Sequence, residues 1–535
     1  QALGIPWGNV RVIKPYIGGG FGNKQDVLYE PLNAFLTTQV GGRPVKLDIS
    51  REETFCNTRT RHSIEFDLAA GVGKDGRLLA KDMHSYSNQG AYASHGHAIA
   101  ANGLTSWRLQ YACPNIRGEA YTIYTNTPVG GAMRGYGIPQ VCFAIESFMD
   151  DVANEIHMDP LEFRRKNLIQ GYYEDAYLKP IAANTNGIFE CLEKGAEYIH
   201  WDEKRKEYAE QAGDVRKGVG MALFSYKTGV WPISLEIAGA RLSLNQDGSV
   251  QLMLGATEIG QGADTVFSQM VAETLHTDME HVHIKTVQDT DVSPFDTGAY
   301  ASRQSFVTGT AVRHCAEILR DKILAYAKTL LPEIDTRELT LKDNWIWAGD
   351  EQAISLAALA EESYYSLTNS SVLTAEVSEQ VKKNTIATGC CFAEVEVDIK
   401  LGKIKILHII NVHDSGKLLN PQLAEMQVHG GMSMGMGYGI SEQLILDEKT
   451  GRPLNGNLLD YKLMTMLDTP DIKADFVELC DPMGPYGNKA LGEPPAIPCA
   501  PAIRNAVLHA TGVAFYENPL TPQRLIDGFK KAGLI

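Results

Sequence analysis

The sequence predicts an α+β fold built from two domains that each mix helices and strands. Turn signals lie between alternating apolar segments at several points, and segments with helical periodicity stand between them. A polar, aperiodic stretch at 168–216, with a charged run from Asp202 to Arg216, separates the two halves. Since 535 residues exceed the usual size of one domain, we expect domains at 1–210 and 211–535.

The first half is expected to alternate strands, loops and helices. Residues 10–13 are predicted to form a strand that runs into a glycine-rich loop, and residues 29–40 a helix that ends at two glycines. The region 44–93 is predicted to be β-rich, with a hairpin turn at 74–76. Residues 143–156 repeat apolar side chains at helical spacing and predict a second helix.

The second half is expected to combine hairpins with helices that follow loops of small residues. Its predicted segments are strands 241–244 and 250–252 around an Asp-Gly turn, a helix at 265–276, a helix after the loop 297–304, a hairpin of 394–398 and 403–411, and a helical stretch that opens at 426.

The composition is that of an ordinary globular chain, with 44% hydrophobic and 21% charged residues. A net charge of −16 argues against a nucleic-acid or anionic-membrane surface, where a basic patch is expected. No apolar run is long enough to span a bilayer. Residues 1–30 lack the charged start and apolar core of a signal peptide, so we expect a cytoplasmic protein.

The nine cysteines are scattered, and no Cys-x-x-Cys pair occurs. A structural zinc or a protein-ligated iron–sulfur cluster is therefore not expected in this chain. The adjacent Cys390 and Cys391 are interpreted as buried apolar thiols rather than a redox pair. His95 and His97 could pair on a metal, but no carboxylate stands near them at helical spacing, so we interpret them as loop histidines.

Glycine-rich loops recur at the ends of predicted strands and helices. The loop at 18–22 could cradle an anion with free N–H groups, although a tight turn fits it equally well. Arg134 stands among glycines, close to Tyr136, and offers a fork of donors for an anionic oxygen group. The loop 257–262 would place N–H groups and the Gln261 amide at a helix N-terminus, a second anion seat. Together the loops predict one large anionic ligand bound by both halves.

Glu493 lies between Gly492 and two prolines, with an apolar pair after them. Glycine permits a tight bend and proline fixes φ, so the carboxylate is held on a stiff mount. Poor solvation raises the pKa of a carboxyl group, which suits a general base near neutral pH. Taken by itself, the stretch also fits a turn with a surface glutamate.

Five motifs stand in a fixed order along the chain: Gly-Gly-Gly-Phe-Gly-Asn-Lys at 18–24, Arg-Gly-Tyr-Gly-Ile-Pro-Gln at 134–140, Gly-Gln-Gly at 260–262, Gln-Val-His-Gly at 427–430 and Gly-Glu-Pro-Pro at 492–495. This set resembles the xanthine dehydrogenase/aldehyde oxidase family of molybdenum hydroxylases over nearly the whole chain. The resemblance implies two elongated mixed α/β domains of the molybdopterin-binding type, with the cofactor between them. It implies that the metal is held through the pterin dithiolene, without a protein ligand.

The resemblance also assigns roles to single residues. Glu493 matches the family's catalytic glutamate, a base in the hydroxylation of an electron-poor C–H carbon with water as oxygen source. The implied cofactor is molybdopterin, as its cytosine dinucleotide, with molybdenum near Phe21 and Arg134. The implied cofactor-binding residues are Phe21, Gly22, Arg134, Gln261, Ala299, Tyr300, Ala301 and Gln427, and the implied substrate-binding residues are Gln25, Asn102 and Tyr136, whose ring would sandwich the substrate.

Three departures from the family pattern bear on the substrate and on the missing part of the chain. Gln25 replaces a substrate-binding glutamate, and Asn102 lies where an arginine orients xanthine, so a purine would meet amides instead of charges. The N-terminal part of the family's molybdenum subunit is absent, so either another chain supplies it or this chain is incomplete. No cysteine stands at 133–136, which argues against carbon monoxide dehydrogenase activity.

The sequence therefore predicts a purine hydroxylase subunit that acts on hypoxanthine or xanthine. Another N-heterocycle such as nicotinate, or an aldehyde, is the alternative substrate, and a non-catalytic cofactor-binding or assembly protein is the alternative class. An NAD-binding dehydrogenase is disfavoured because no dinucleotide fingerprint is present. In the family, electrons leave through two [2Fe–2S] clusters to FAD, so iron–sulfur and FAD subunits are the expected partners of this cysteine-poor chain.

Overall fold

Helices and strands alternate along the chain in this computed structural model, which describes residues 2–169, 172–173, 181–182 and 185–535. The helices are α1 (Glu30–Gln39), α2 (Arg51–Asn57), α3 (Gly96–Leu109), α4 (Ile138–Glu155), α5 (Pro160–Asn167), α6 (Ile188–Ile199), α7 (Trp201–Glu207), α8 (Ala263–Leu275), α9 (Gln304–Leu330), α10 (Leu356–Tyr365), α11 (Pro421–Ile440), α12 (Cys499–Thr511) and α13 (Pro522–Lys531).

The strands form five sheets in the described part of the chain. They are β1 (Ile64–Val72), β2 (Leu78–Gly90), β3 (Ile116–Tyr124), β4 (Tyr172–Tyr173), β5 (Ile181–Ala182), β6 (Val215–Lys227), β7 (Ile237–Leu244), β8 (Val250–Leu254), β9 (Val282–Ile284), β10 (Leu339–Lys342), β11 (Trp345–Ala348), β12 (Glu351–Ser355), β13 (Thr374–Gln380), β14 (Ile386–Asp398), β15 (Lys403–Asp414) and β16 (Asp471–Phe476).

The two sheets of the second half carry the elements that position the site. One has the order β13-β7-β8-β9 and the other β16-β15-β14-β6, and each adds one parallel pair to its antiparallel pairs. In the first half, β1 pairs antiparallel with β2, and β2 pairs parallel with β3. The predicted mixture of helices and strands is therefore confirmed, including the hairpins at 74–76, 247–248 and 402.

Three local predictions are wrong in whole or in part. The region 44–93 is β-rich only from residue 64, where β1 begins, and its earlier part contains α2. Residues 10–13 form no strand, because Ile13 makes only an isolated bridge to Asp289 while the Arg11 side chain takes up the carboxylate of that aspartate. His97 lies inside α3 and not in a loop, although His95 does lie just before that helix. Part of the predicted boundary stretch at 168–216 falls outside the described residues, and the rest contains α6, α7 and the start of β6.

The hydrophobic core consists of several clusters, one of which includes side chains from both sides of residue 210. In this cluster Trp107 of α3 and Met149 of α4 join Met221 of β6 and Phe392 of β14. Trp201 anchors α7 within the predicted charged run, with its ring centroid 5.6 Å from that of Phe392. The division at 210/211 stays a prediction, and the core does not separate there.

Residues 2–61 contribute no buried side chain, and α1 and α2 pack with their apolar side chains partly exposed. Cys390 and Cys391, by contrast, are fully buried on β14, as expected of apolar thiols. In the described part of the chain, no helix has both the length and the apolar character required to cross a membrane.

Candidate functional site

The loop that carries Glu493 is fixed by its neighbours on three sides. The backbone N–H of Glu493 donates to Oγ of Ser302 over 2.9 Å, and the Asn411 amide donates to the carbonyl of Pro495 over 3.1 Å. A Cβ on Gly431 of α11 would lie only 2.4 Å from the Cβ of Pro495, so the absence of a side chain there lets the helix approach the prolines. The predicted stiff mount is therefore present.

The carboxylate of Glu493 is oriented by one phenol and by nearby backbone. The Tyr226 hydroxyl donates to Oε2 of Glu493. Burial raises the pKa of Glu493 above its ordinary value, while the Tyr226 hydrogen bond, the Arg134 charge and the backbone N–H groups of Gly135 and Ala301 oppose that rise. The group thus has the raised pKa that the sequence predicts, and its role as a general base stays a prediction.

Arg134 binds the backbone beside Glu493. Its Nε donates to the Gly492 carbonyl over 2.7 Å, and its Nη2 donates to the Gln427 carbonyl over 3.0 Å. Burial lowers the pKa of Arg134 to about 10, against the favourable charge of Glu493. Because two of its nitrogens are engaged by carbonyls, Arg134 ties α11 to the mount.

A cavity of about 490 Å³ lies where the loops of both halves converge. Nine of the twelve predicted site residues line it: Phe21, Gly22, Gln25, Arg134, Gln261, Ala299, Tyr300, Gln427 and Glu493. The full wall draws on residues within 18–25, 259–266, 299–305, 415–427 and 488–493, together with Arg134. The predicted convergence of glycine-rich loops on one large site is therefore seen in the geometry.

Three predicted residues lie beside the cavity and not on its wall. The Ala301 carbonyl accepts from Gly229 over 3.0 Å, and its own N–H faces the Glu493 carboxylate. The Asn102 amide donates to the Tyr136 carbonyl over 3.0 Å, so it supports the loop that presents Tyr136. The roles assigned to these three residues by resemblance stay predictions.

The glycine loop at 18–22 is joined to the second loop and leaves several donors unpaired. Gly19 donates to the Ile259 carbonyl over 2.8 Å. Gly22 adopts φ +103°, and a Cβ there would meet the Ala132 backbone at 2.8 Å, so the loop needs glycine at this point. Within the described residues, the N–H groups of Gly20, Phe21 and Gly22 find no acceptor, which leaves them for a ligand.

The predicted anion seat at 257–262 is wrong, because the chain fills it with its own carboxylate. Glu258 accepts from the N–H groups of Gly260, Gly262 and Asp264 at the N-terminus of α8, over 2.6, 3.2 and 3.0 Å. A carboxylate at this end of a helix is favoured by the helix dipole. The Gln261 amide is also taken up internally, since it donates to the Thr257 carbonyl over 3.0 Å.

Two buried polar side chains on the cavity wall have no partner in the described part of the chain. Both polar atoms of the Asn488 amide and the Ser415 hydroxyl are buried and unpaired. Burying such groups without a hydrogen bond is costly, so the wall is built to receive polar atoms of a ligand. Neither residue was predicted from the sequence; the available signal was position, since Ser415 directly follows β15 and Asn488 lies five residues before Glu493.

The donors around the cavity fit a molybdopterin cofactor. Unpaired backbone N–H groups on two loops, Gly20–Gly22 and Ala299–Tyr300, suit phosphate and pterin oxygens, and the orphaned Asn488 and Ser415 groups add side-chain partners. Among the described residues no three His, Cys, Asp or Glu side chains converge as metal ligands.

Comparison with known proteins gives the same assignment along the whole chain. Two family models, each described as a molybdopterin cofactor-binding domain, match residues 1–168 and 194–470. The xanthine dehydrogenase molybdenum-binding subunit of Escherichia coli O157:H7 is 49% identical over 540 residues, which cover 100% of this chain and 71% of that relative. The aldehyde oxidoreductase molybdenum-binding subunit of Escherichia coli K12 is 28% identical, covering 98% of this chain and 69% of that relative.

Solved structures have the same fold. Quinoline 2-oxidoreductase from Pseudomonas putida 86 matches with a TM-score of 0.90 at 24% identity, over 97% of this chain and 69% of that chain. Carbon monoxide dehydrogenase from Oligotropha carboxidovorans matches with a TM-score of 0.89 at 25% identity, over 99% of this chain and 69% of that chain. These matches confirm the predicted fold class of mixed α/β domains of the molybdopterin-binding type.

Proposed function

We propose, because the chain belongs to the xanthine dehydrogenase family of molybdopterin-dependent oxidoreductases, that it hydroxylates a purine, hypoxanthine or xanthine, at a C–H carbon with water as the oxygen source. The observation that carries the proposal is Glu493, a carboxylate of raised pKa on the wall of a cavity that both halves of the chain line. The purine is supported by the name of the relative that is 49% identical over the whole chain.

The chain's own residues would move one proton and hold the reacting groups. Glu493 would accept the proton of the attacking oxygen, and the Tyr226 hydroxyl would fix the orientation of its carboxylate. Arg134 would stabilise the charged form of Glu493 and hold its loop in place. The molybdenum cofactor, when bound, supplies the oxygen-transfer and two-electron redox chemistry that no side chain of the cavity provides.

The cofactor is proposed to be molybdopterin in its cytosine dinucleotide form. The unpaired N–H groups of Phe21, Gly22 and Tyr300 would bind its anionic oxygens. Asn488 and Ser415 would give their buried polar atoms the partners they lack within the described chain. Gln427 and Gln261 also line the cavity, and for Gln261 a cofactor contact requires exchange of its internal hydrogen bonds.

Electrons are proposed to leave through partner subunits in the cytoplasm. The nine cysteines contain no Cys-x-x-Cys pair, so the [2Fe–2S] clusters are assigned to a separate chain. FAD is assigned to a further partner chain, because the family's electrons pass from these clusters to FAD. The chain spans 71% of the length of its xanthine dehydrogenase relative.

The test is a substrate titration of the assembled complex, with molybdenum quantified. Hypoxanthine, xanthine, nicotinate and benzaldehyde are added separately, and bleaching of the flavin and iron–sulfur absorbance is followed. We expect rapid bleaching by the purines. Bleaching by nicotinate or benzaldehyde alone would refute the purine and keep the base, whereas no bleaching by any substrate at full molybdenum content would indicate a non-catalytic protein.

A further inference from the structure

A hydrogen-bonded row of side chains runs from Asp26 to the phenol of Tyr136. Asp26 Oδ1 lies 3.0 Å from Nε2 of His95, and Nδ1 of the same ring lies 2.8 Å from the Tyr136 hydroxyl. The other Asp26 oxygen accepts from Nε of Arg59 over 2.5 Å and from the Ser94 hydroxyl over 2.6 Å. The roles assigned above leave Asp26 and His95 without a function.

The charge state of the Asp26 carboxyl group determines which atoms of this row carry the protons. Burial raises the pKa of Asp26, but the hydrogen bonds from Ser94 and Arg59, followed by the charges of His95 and Arg59, outweigh it, so the pKa lies below its ordinary value. An ionised carboxylate only accepts hydrogen bonds. In a neutral imidazole, Nε2 of His95 must then carry the proton, and Nδ1 must accept from the Tyr136 hydroxyl.

The hydroxyl oxygen of Tyr136 is left as an acceptor near the site. With His95 in this neutral form, the only proton of the hydroxyl lies in the bond to His95, and no other group in the described residues hydrogen-bonds the phenol. Burial, followed by the nearby charges of Glu493 and Asp26, raises the pKa of Tyr136 to about 12, so the phenol stays protonated and neutral. A hydroxyl whose O–H already donates to one partner can still accept a hydrogen bond from an N–H of a ligand, but it cannot donate to the ligand.

The Tyr136 loop is held against the Glu493 mount. Arg134 bonds the Gly492 carbonyl over 2.7 Å, and a Cβ on Gly135 would lie 3.7 Å from the Ile497 side chain. The Asn102 amide donates to the Tyr136 carbonyl, and Tyr136 is half-buried. At the other end of the row, Asp26 follows Gln25, which lines the cavity.

We infer that Asp26 and His95 are positioning residues that polarise Tyr136, so that its hydroxyl oxygen accepts a hydrogen bond from a ring N–H of the substrate. The inference rests on the proposed function and narrows it: the site favours heterocyclic lactams, which carry ring N–H groups, over aldehydes and heterocycles that have none. It also gives the site a polar contact to the heterocycle edge that does not depend on a charge at Gln25 or Asn102.

The test compares two substrates in the assembled, molybdenum-loaded complex. Hypoxanthine offers ring N–H groups and benzaldehyde offers none. For Tyr136→Phe and His95→Phe we expect the KM for hypoxanthine to rise about three- to tenfold, the usual effect of one neutral hydrogen bond, with a much smaller change in kcat. The KM for benzaldehyde should stay near the wild-type value.

Two further variants separate positioning from folding. In His95→Asn the amide oxygen stands near the place of Nδ1 and can accept from Tyr136, so this variant should recover most of the hypoxanthine KM. His97→Phe places the same aromatic ring at an exposed position two residues away and should behave as the wild type. Molybdenum content and thermal unfolding are recorded for each variant. If His95→Phe does not bind the molybdenum cofactor, the comparison rests on Tyr136→Phe.

The outcomes distinguish the inference from the function on which it rests. If the wild type oxidises hypoxanthine and neither Tyr136→Phe nor His95→Phe raises its KM, the inference is wrong and the proposed function stands. Equal losses for hypoxanthine and benzaldehyde would also overturn it, because they indicate general damage to the site. A wild type that oxidises benzaldehyde but not hypoxanthine overturns both.

Discussion

Lys489 and Asp414 form an ion pair that is completely excluded from solvent, with Nζ 2.8 Å from Oδ2. Lys489 stands four residues before Glu493, and Asp414 is the last residue of β15. Lys489 also donates to the Thr185 carbonyl over 2.8 Å, and Asp414 accepts from the N–H of Gly187 over the same distance. The pair therefore ties the start of the Glu493 loop to the end of β15.

Lys489→Met should lower the free energy of unfolding by about 3–5 kcal/mol, because it leaves the buried Asp414 carboxylate without its cation. Denaturant unfolding of the isolated chain measures the change. Lys417→Met is the matched control, since Lys417 pairs with Glu478 over 2.9 Å in a largely exposed position and should cost less than about 1 kcal/mol. Equal losses for the two variants would show that the buried pair contributes nothing special.

Glu493→Gln should retain the cofactor and lose turnover by about 10²–10⁴-fold, because the amide keeps the shape of the side chain but accepts no proton. Molybdenum analysis and steady-state rates on the same preparation measure the two effects. Glu448→Gln, at an exposed position, serves as the control. Turnover close to the wild-type rate in Glu493→Gln would remove this residue from the mechanism.

Tyr226→Phe should move the acid limb of the kcat/KM profile to higher pH. The Tyr226 hydrogen bond lowers the pKa of Glu493 against the effect of burial, so its loss raises that pKa further. A base works only when deprotonated, and activity is therefore lost at a higher pH as the solution is acidified. Tyr92→Phe, on an exposed ring, should leave the profile in place; an unmoved acid limb in Tyr226→Phe would refute the coupling.

Arg134→Ala should reduce the molybdenum content of the purified complex. The change removes a cation from the cavity wall and leaves the carbonyls of Gly492 and Gln427 without their donor, at a cost of about 1–3 kcal/mol each if they stay buried. Metal analysis after purification measures the occupancy, and Arg43→Ala, at an exposed position, is the control. Full molybdenum content in Arg134→Ala would contradict a role in holding the cofactor.

The fold followed from the sequence wherever local signals agree with long-range packing. The helix predicted at 29–40 is α1, which ends at Gln39 before two glycines, and the hairpin predicted around Gly402 joins β14 to β15. The strand predicted at 10–13 is reduced to one antiparallel bridge between Ile13 and Asp289, because the backbone pairing with 288–290 stops after two hydrogen bonds. Nothing local to residues 10–13 encodes that distant aspartate.

The site was predictable to the extent that motifs mark the backbone. Gly22, Arg134 and Glu493 were identified by their glycine and proline neighbours, and all three line the cavity. Two features depend on contacts that no motif encodes. Glu258 accepts hydrogen bonds from the N-terminus of α8, a contact that depends on the conformation of its loop. The Asn488 amide is a candidate ligand-binding group only because the folded chain buries it without a partner.

Because Gly431 approaches Pro495 so closely, the position of Glu493 depends on the position of α11. In Gly431→Ala the new Cβ would lie 2.4 Å from the Cβ of Pro495, so α11 or the loop that carries Glu493 would have to move. Glu493 would still be a glutamate on the cavity wall, but its carboxylate would be displaced. A displacement of about 1 Å is enough to lower the rate about 10²-fold. A substitution of Gly431, which has no chemical role of its own, would therefore lower the activity without changing any residue that lines the cavity.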